Sequence, residues 1–451
     1  MLRFSRLASL AILAALAVSA QSLDEITKAS GVTGGFVVQL GCGDGQLLEA
    51  LSANPRFTLH GLDTDLKAVH RAQVRLRAAK VYGRAAADGW DGKRLPYASD
   101  MVSLLVASDA GLRSEINRVL APNGVALVKT ATGWQKTVKP WPGDIDEWSH
   151  YMHDPGNNAV AEDTRIAPPR SMQWMGSPKW SRHHDRMASM SALVTAGGKL
   201  FYIFDEGSTA SVLLPSKWSL IGRDAFNGVV LWKQPIPEWH TRMWPLKSGP
   251  AQLPRRLVCT RDEVYATMGF DVPVTAFAAA TGQLLRVYDN TKGAEEIIVD
   301  KGMLYLVIDP QVDTDKYRNA RRVNKPWWTG KEIRVMAVEA ASGKTLWEYA
   351  SPVVPLTLGV KDGGVVFHDG DKIISLDQRT GAKRWVSAPI PVAKRIMSFF
   401  APTLVARSGV VLFAGGEESG LVKSGGGAVK SDTLTGLDAK TGKTLWTADH
   451  L

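Results

Sequence analysis

Three glycines in five residues, Gly41, Gly43 and Gly45, follow a short apolar run that is typical of a buried parallel strand. Glycine lets the backbone turn sharply and lets a ligand approach it closely, and the helix predicted after Gly45 would offer free N–H groups. About twenty positions later the next predicted strand ends at Asp63, where a carboxylate can accept hydrogen bonds from both hydroxyls of a ribose. These residues predict a site for a nucleoside-type cofactor.

The elements that must position these residues alternate between strands and helices. Short β-rich runs occur at 36–40, 58–63 and 101–106, and stretches with helical spacing separate them. The segment SEINRVLAPNGVALVKT then adds a helix, a Pro-Asn-Gly turn and another strand. This alternation predicts a parallel sheet with helices on both faces.

Four motifs in this order resemble those of the class I S-adenosylmethionine-dependent methyltransferases: LGCGDG, GLDTD, LPYASDMVSLLVAS and EINRVLAPNGVALV. We assign residues 25–132 to such a domain. The cofactor-binding residues that the resemblance implies are Gly41, Gly43, Asp44, Gly45, Asp63 and Asp88. By the same resemblance the three glycines line the methionine part of S-adenosyl-L-methionine, Asp63 holds the ribose, and Asp88 binds the adenine amino group.

A dinucleotide-binding Rossmann domain is the alternative, but its fingerprint places two residues between the second and third glycines, and this chain has one. After Lys129 the sequence turns polar and proline-rich, so we expect the last antiparallel strands of the family to be short or absent. No Asn-Pro-Pro-Tyr motif of amide or base amino methylation occurs. His60, His70 and Asp109 are catalytic candidates by location only, structural roles are favoured for the two histidines, and the catalytic residue stays unknown.

The composition is that of an ordinary globular protein, and 451 residues predict two or three domains. The formal charge of +10 comes from Lys and Arg residues that are scattered along the chain, so no nucleic-acid partner is expected. The only two cysteines, Cys42 and Cys259, fall in different predicted domains, so no disulfide framework is expected.

The first 20 residues have the pattern of an export signal. Arg3 and Arg6 supply the positive start, and residues 7–18 form an apolar run that is short for a bilayer span. We predict cleavage after Ala20 and a periplasmic or secreted location, with an uncleaved anchor or a misplaced start codon as alternatives. No later segment has 18 consecutive apolar residues, so no membrane span is expected after the signal.

Residues 133–189 are rich in tryptophan and histidine. The tryptophans are Trp134, Trp141, Trp148, Trp174 and Trp180, and the histidines are His150, His153, His183 and His184. Imidazole and carboxylate groups in proximity would suit a metal site, but large aromatic side chains with one polar group are typical of an interface. We favour an interdomain seam or ligand cleft and assign no metal ligand; a metal site and a flexible linker are the alternatives.

Five similar units occupy residues 190–451. In four of them a turn glycine follows an acidic residue by four positions and precedes a tryptophan by four. The turn glycines are Gly228, Gly282, Gly343, Gly381 and Gly442. The second unit is degenerate, because Ala278 and Arg286 replace its acidic residue and its tryptophan. Repeats at such a period signal a propeller or a solenoid, and four predicted strands per unit favour propeller blades.

These units resemble the tryptophan-docking repeats of PQQ-type propellers through the pattern AxDxxTGxxxW. That group includes quinoprotein alcohol dehydrogenases and the propeller lipoprotein of outer-membrane assembly. The predicted fold class is therefore multidomain, an α/β Rossmann-like methyltransferase fold followed by an all-β propeller with about five visible blades. An incomplete ring, a five-bladed closure and a truncated sequence are left open. The quinoproteins resemble one another in an adjacent Cys-Cys pair, which is missing here, so PQQ is not expected.

Two functions of different classes follow. The first is methyl transfer from S-adenosyl-L-methionine to an unknown substrate, with the propeller as a binding or scaffold domain. The second is a non-catalytic exported protein whose propeller binds a protein or glycan partner, which export favours because the cofactor is made in the cytosol. A quinoprotein oxidoreductase is a third and weaker hypothesis, because its cysteine pair is missing.

Overall fold

The computed structural model describes most of the chain. The described residues are 23–108, 111–165, 168, 172–178, 180–182, 189–211, 214–240, 252–312, 314, 332–392, 402–415 and 432–450. The predicted export signal therefore lies outside the described residues, as do Asp109, His183 and His184. Within the described ranges, no helix has both the length and the apolar character that a membrane span requires.

The chain forms two compact units. The first comprises the described residues up to Ile145 with Asp163–Ser177 and Gly222–Trp232. The second comprises Asp146–Glu162, Pro178–Ile221 and the described residues from Lys233 onward. The predicted seam at 133–189 is therefore divided between the two units.

One six-stranded sheet forms the centre of the first unit. Its strands are β1 (Gly35–Leu40), β2 (Phe57–Asp63), β3 (Ala85–Gly89), β4 (Val102–Ala107), β5 (Leu120–Thr130) and β6 (Gly133–Val138). The helices are α1 (23–30), α2 (Gln46–Leu51), α3 (Leu66–Ala78) and α4 (Arg113–Val119). The strand order is β3-β2-β1-β4-β5-β6; β1 to β5 are parallel and β6 is antiparallel to β5. The predicted α/β Rossmann-like fold is confirmed.

Each face of this sheet has its own apolar core. Val37 and Leu104 pack on one face with α2 and α3, whereas Val38 and Leu105 pack on the other face with Ile116 of α4. Successive side chains of a strand point to opposite faces, so a strand buried on both sides must be apolar throughout. From β1 the strands are added outward in one direction to β3 and in the other direction from β4 onward. This change in strand order places a crevice at the carboxyl ends of β1 and β4.

The sheet ends in a hairpin at the predicted domain boundary. β6 pairs with β5 from Val125↔Val138 to Thr130↔Gly133. The antiparallel part of this sheet is one short strand of six residues, which agrees with the expectation of short or absent strands here. Its residues are largely exposed and polar, as suits an edge strand, and this composition resembles that of a loop in the sequence.

The remaining strands form five four-stranded sheets, and in each the order follows the chain. They are β7 (Met190–Ala196), β8 (Lys199–Asp205), β9 (Trp218–Asp224), β10 (Val230–Ile236), β11 (Leu257–Cys259), β12 (Glu263–Thr267), β13 (Val274–Ala278), β14 (Leu284–Val287), β15 (Ala294–Asp300), β16 (Met303–Ile308), β17 (Arg334–Glu339), β18 (Thr345–Ala350), β19 (Gly359–Lys361), β20 (Gly364–His368), β21 (Ile373–Asp377), β22 (Lys383–Val386), β23 (Thr403–Arg407), β24 (Val410–Ala414), β25 (Asp432–Asp438) and β26 (Thr444–His450). Short 3₁₀ helices occupy Leu253–Arg256 and Asp289–Thr291.

The first strand of each sheet, which we term the inner strand, contacts the inner strand of the next sheet. These contacts run from β7 to β11, β15, β19 and β23 in succession. Sheets that follow the chain and meet through their first strands are arranged as propeller blades are. The predicted all-β, propeller-type second part is confirmed by this arrangement.

Residues 148–157, which we term the central strap, run along the exposed edges of the inner strands. Main-chain N–H groups of β7, β11, β19 and β23 donate to strap carbonyl oxygens over 2.7 to 3.1 Å. The carbonyls belong to Trp148, Ser149, Pro155 and Gly156. The inner edge of β15 is met by a side chain instead, because Val299 N–H donates to His150 Nε2 at 3.1 Å. The strap thus satisfies edge groups that would otherwise remain unpaired.

Candidate functional site

The glycine loop joins β1 to α2 at the carboxyl edge of the first sheet. Gly41 N–H donates to the carbonyl oxygen of Leu62 at 2.8 Å, which fixes the loop to β2. Gly43 and Gly45 have φ angles of 57° and 81°. A Cβ on Gly43 would meet nothing within 4 Å, whereas a Cβ on Gly45 would lie 2.9 Å from Cα of Ala72 in α3. Gly43 is therefore the point where a ligand can approach the backbone, and Gly45 is the point where α3 packs against the loop.

The carboxylate of Asp63 lies beside this open position. Gly43 N–H donates to Asp63 Oδ2 at 2.9 Å, and Asp65 N–H donates to Asp63 Oδ1 at 3.0 Å. An ionised carboxyl oxygen can accept about two hydrogen bonds, so each oxygen keeps an acceptor position. Asp63 can therefore accept further hydrogen bonds while it holds the glycine loop in place.

Asp44 is bound by a side chain of α3. Its Oδ2 lies 2.7 Å from Nη2 of Arg75, and Arg75 Nε donates to the Asp44 carbonyl oxygen at 3.0 Å. Burial raises the pKa of Asp44, but hydrogen bonds from Gln46 N–H and Arg75 outweigh it, and the net pKa is lowered. Arg75 also binds Glu49 at 3.1 Å. Asp44 therefore fixes the shape of the loop, and the sequence offered no local signal for Arg75.

Asp88 lies next to Asp63 at the end of the neighbouring strand. The register pairs Leu62 with Asp88, and Asp63 with Gly89. The Asp88 side chain is 61% exposed, and its Oδ2 lies 2.9 Å from His60 Nε2. The structure thus brings the glycine loop, Asp63 and Asp88 to one edge of the sheet.

The three catalytic candidates are not equivalent. His60 is bound on both sides, by Asp88 and by the hydroxyl of Tyr97, which lies 2.8 Å from His60 Nδ1. His70 is exposed on α3, and Asp109 lies outside the described residues. Cys42, inside the loop, is buried, and burial together with the charge of Asp63 raises its pKa to about 11, so its thiol stays protonated. The described groups of the crevice could bind and orient a ligand, and none of them is assigned as the catalytic residue.

The tryptophan-docking turns of the second unit have a repeated geometry. Trp347 covers Gly381 and donates from Nε1 to the Gln378 carbonyl oxygen at 3.2 Å. The next blade repeats this with Trp385, which covers Gly442 and donates to the Ala439 carbonyl oxygen at 2.9 Å. Each acceptor carbonyl belongs to the residue after the acidic residue of the motif. Each tryptophan therefore docks on the turn of the following blade, as the repeat pattern predicts.

At two other turns the docking side chain is not the tryptophan of the repeat motif. Within the first unit, Trp174 covers Gly228 and donates to the Ala225 carbonyl oxygen at 2.9 Å. At the turn of Gly343, Tyr288 donates its hydroxyl to the Ala340 carbonyl oxygen at 2.7 Å, and the Arg286 side chain reaches the Ser342 carbonyl oxygen at 3.1 Å. The degenerate second repeat therefore retains docking through different side chains.

The turn of the first repeat also contacts β4 inside the first unit. Ser103 donates its hydroxyl to Asp224 Oδ2 at 2.9 Å and accepts from Phe36 N–H at 3.1 Å. Asn227 Nδ2 donates to Ser103 Oγ at 2.8 Å. Burial raises the pKa of Asp224. An acidic residue that caps an exposed turn in later repeats is thus partly buried here.

The two histidines of the strap are bound by protein groups. His150 Nε2 accepts the Val299 N–H, and its Nδ1 lies 2.8 Å from Ser149 Oγ. His153 Nε2 lies 2.7 Å from Asp146 Oδ2. Among the residues that the structure describes, no group of three or more His, Cys, Asp or Glu side chains is placed to hold a metal ion.

Comparison with protein families finds two matching regions. Residues 37–124 match the model described as "Methyltransferase domain", and residues 328–450 match the model described as "Outer membrane protein assembly factor BamB". The chain therefore joins a methyltransferase-type domain to a BamB-like, PQQ-type repeat domain, and both expected resemblances are confirmed. No curated protein matches the chain.

Solved structures with similar parts fall into the same two groups. A protein from Methanococcus maripaludis described as a candidate S-adenosyl-L-methionine-dependent methyltransferase is 21% identical, with a TM-score of 0.24, over 25% of this chain and 56% of that chain. Geranyl diphosphate C-methyltransferase from Streptomyces coelicolor is 19% identical, with a TM-score of 0.22, over 24% of this chain and 44% of that chain. BamB from Moraxella catarrhalis is 13% identical, with a TM-score of 0.34, over 57% of this chain and 61% of that chain. The chain spans about half the length of these structures.

Proposed function

We propose that the first unit binds S-adenosyl-L-methionine in the crevice at the carboxyl ends of β1 and β2, and that the protein transfers a methyl group to a substrate of unknown identity. The observation that carries this proposal is the open backbone at Gly43 beside the Asp63 carboxylate, 2.9 Å from the Gly43 nitrogen. The match of residues 37–124 to the methyltransferase domain model supports it.

The residues present fit this cofactor by their chemistry. The Gly43 backbone leaves room for the methionine part, Asp63 keeps acceptor positions for the ribose hydroxyls, and Asp88 offers an exposed acceptor for the adenine amino group. When bound, S-adenosyl-L-methionine supplies an electrophilic methyl group on a sulfonium. The chain's own contribution is to hold the nucleoside in one orientation, because methyl transfer requires the acceptor atom to approach in line.

Calorimetric titration of the full chain with S-adenosylhomocysteine tests this proposal. We expect a micromolar Kd for the unchanged protein. Asp63→Ala should abolish the heat of binding, because it removes the ribose acceptor, while the circular dichroism spectrum stays that of the folded protein. Asp65→Ala is the matched control, since Asp65 is an exposed neighbour that caps α3, and it should still bind. A flat titration of folded unchanged protein would contradict the proposal.

We also propose that the protein is exported and that its propeller-type domain serves as a binding or scaffold surface for a substrate or a protein partner. The export-type pattern of residues 1–20 and the BamB-like match at 328–450 support this. Fractionation of cells that express a C-terminally tagged chain tests the location. Recovery of shortened protein from the periplasm or medium is expected, and full-length protein found solely in the cytosol would exclude export.

A further inference from the structure

Three hydrogen-bonded side chains connect the partly buried Tyr97, which packs against an apolar core of the first unit, to the expected adenine position. Tyr97 Oη lies 2.8 Å from His60 Nδ1, and His60 Nε2 lies 2.9 Å from Asp88 Oδ2. Solvent exposure rises from His60 to Asp88, since the His60 side chain is 20% exposed and that of Asp88 is 61% exposed. The arrangement anchors an exposed carboxylate to groups that cannot move freely.

The hydrogen-bond donors among Tyr97, His60 and Asp88 determine where the protons of these three side chains lie. Burial and, to a lesser extent, the charge of Asp88 raise the pKa of Tyr97 well above its usual value, so its hydroxyl keeps its proton and can donate to His60 Nδ1. An ionised carboxylate only accepts hydrogen bonds, so the contact with Asp88 places a proton on His60 Nε2, and Nδ1 can then accept from the Tyr97 hydroxyl. The aromatic ring of Phe36 packs edge-on against Tyr97, with ring centroids 5.4 Å apart, which fixes the tyrosine.

We infer that His60 and Tyr97 are positioning residues for base selection: they hold one oxygen of Asp88, so that the other oxygen is directed at a nucleobase that carries an exocyclic amino group. The inference rests on the proposed binding of S-adenosyl-L-methionine and deepens it. An adenine amino group donates a hydrogen bond to a carboxylate, whereas the 6-oxo group of hypoxanthine presents an acceptor and is repelled. A fixed carboxylate discriminates between these bases better than a mobile one.

The test compares binding of S-adenosylhomocysteine and S-inosylhomocysteine by calorimetry. The unchanged full chain should prefer the adenosyl compound by about tenfold or more, the value of one hydrogen bond to a charged group. His60→Phe retains an aromatic ring but loses both hydrogen bonds. It should weaken the binding of S-adenosylhomocysteine about tenfold and change that of S-inosylhomocysteine less than about twofold. Tyr97→Phe should act in the same direction. The matched control, His70→Phe on the exposed face of α3, should alter neither affinity.

The outcomes separate the inference from the function on which it rests. If the unchanged protein binds neither compound, the proposed function fails and the inference fails with it. If it binds with a preference that His60→Phe leaves unchanged, or if both affinities fall equally, the inference alone is wrong and His60 has only a structural role. In the ligand-free protein, ¹⁵N NMR should show the Nε2–H tautomer of His60, and Tyr97→Phe should shift it toward a mixture; an Nδ1–H tautomer in the unchanged protein would overturn the inference.

Discussion

The main-chain nitrogen of Gly43 and the carboxylate of Asp63 are joined by a hydrogen bond of 2.9 Å that connects the glycine loop to the end of the second strand. One contact therefore ties together the two motifs that the sequence suggested. A ligand at Gly43 would contact both the loop and the carboxylate. Substitutions at either residue should therefore affect ligand affinity more than they affect stability.

The two glycines of the loop should respond to alanine in opposite ways. In Gly43→Ala the Cβ enters open space that the ligand would occupy, so S-adenosylhomocysteine should bind at least about tenfold more weakly, while stability falls by only the 1–2 kcal/mol that a left-handed residue costs. In Gly45→Ala the Cβ meets Ala72 in α3 at 2.9 Å, and the urea midpoint should fall further. Calorimetry and urea unfolding of both variants check this. Equal loss of stability would contradict it.

Much of the first unit could be predicted because its signals are local. The glycine loop stands between an apolar strand and a helix, and Asp63 stands at the end of the next strand, so the order of residues along the chain suffices. The contact of Arg75 with Asp44 and that of Tyr97 with His60 could not be predicted. Each joins residues more than thirty positions apart, and the choice of partner depends on how helix and strand pack in three dimensions.

The central strap and the docking role of Trp174 could not be predicted either, because their contacts also join residues that are far apart in the sequence. The tryptophan and histidine content of the junction indicated burial, but nothing in it indicated that residues 148–157 pair with the edges of distant strands. Trp174 lies 51 positions before its acceptor, Ala225, and outside any repeat, so the motif that identifies Trp347 and Trp385 does not identify it.

Ser103 should be important for the stability of the first unit. Its hydroxyl accepts a hydrogen bond from the Phe36 N–H and donates one to the partly buried Asp224 carboxylate, so Ser103→Ala leaves both groups with one partner fewer. Loss of partners for buried polar groups costs about 1–3 kcal/mol, and we expect the free energy of unfolding to fall by this amount. Ser108→Ala, at an exposed position after β4, is the control and should change it by less than about 0.5 kcal/mol. Similar urea midpoints for the two variants would argue against a role for the Ser103 contacts.

Tryptophans at the same position of the repeat should differ in their contribution to stability. The side chain of Trp385 is buried on the Gly442 turn, whereas Trp446 is 44% exposed. Trp385→Ala should cost about 3–5 kcal/mol, because it opens a cavity and leaves the Ala439 carbonyl without this donor. Trp446→Ala should cost less than about 1 kcal/mol. Urea unfolding followed by circular dichroism provides the comparison, and a larger loss for Trp446→Ala would show that the exposed tryptophan is docked in solution.

The strap should make stability depend on pH through His150. Burial and, secondarily, the charge of Arg255 lower the pKa of His150 from 6.5 to about 3. In the neutral imidazole, Nε2 can accept the Val299 N–H. Below pH 6.5 the unfolded chain binds a proton at this residue that the folded chain does not, so the free energy of unfolding falls as the pH is lowered from 6.5 toward about 3. This group contributes a slope of up to about 1.4 kcal/mol per pH unit.

His150→Gln isolates that contribution, since a glutamine oxygen can accept the same N–H but does not titrate. Urea unfolding at several pH values between 4 and 7, a window set by the two pKa values, should show a shallower dependence for the variant than for the unchanged protein. His70→Gln, at an exposed position, should leave the dependence unchanged. Equal slopes for His150→Gln and the unchanged protein would mean that folding does not lower the pKa of His150, which would contradict this prediction.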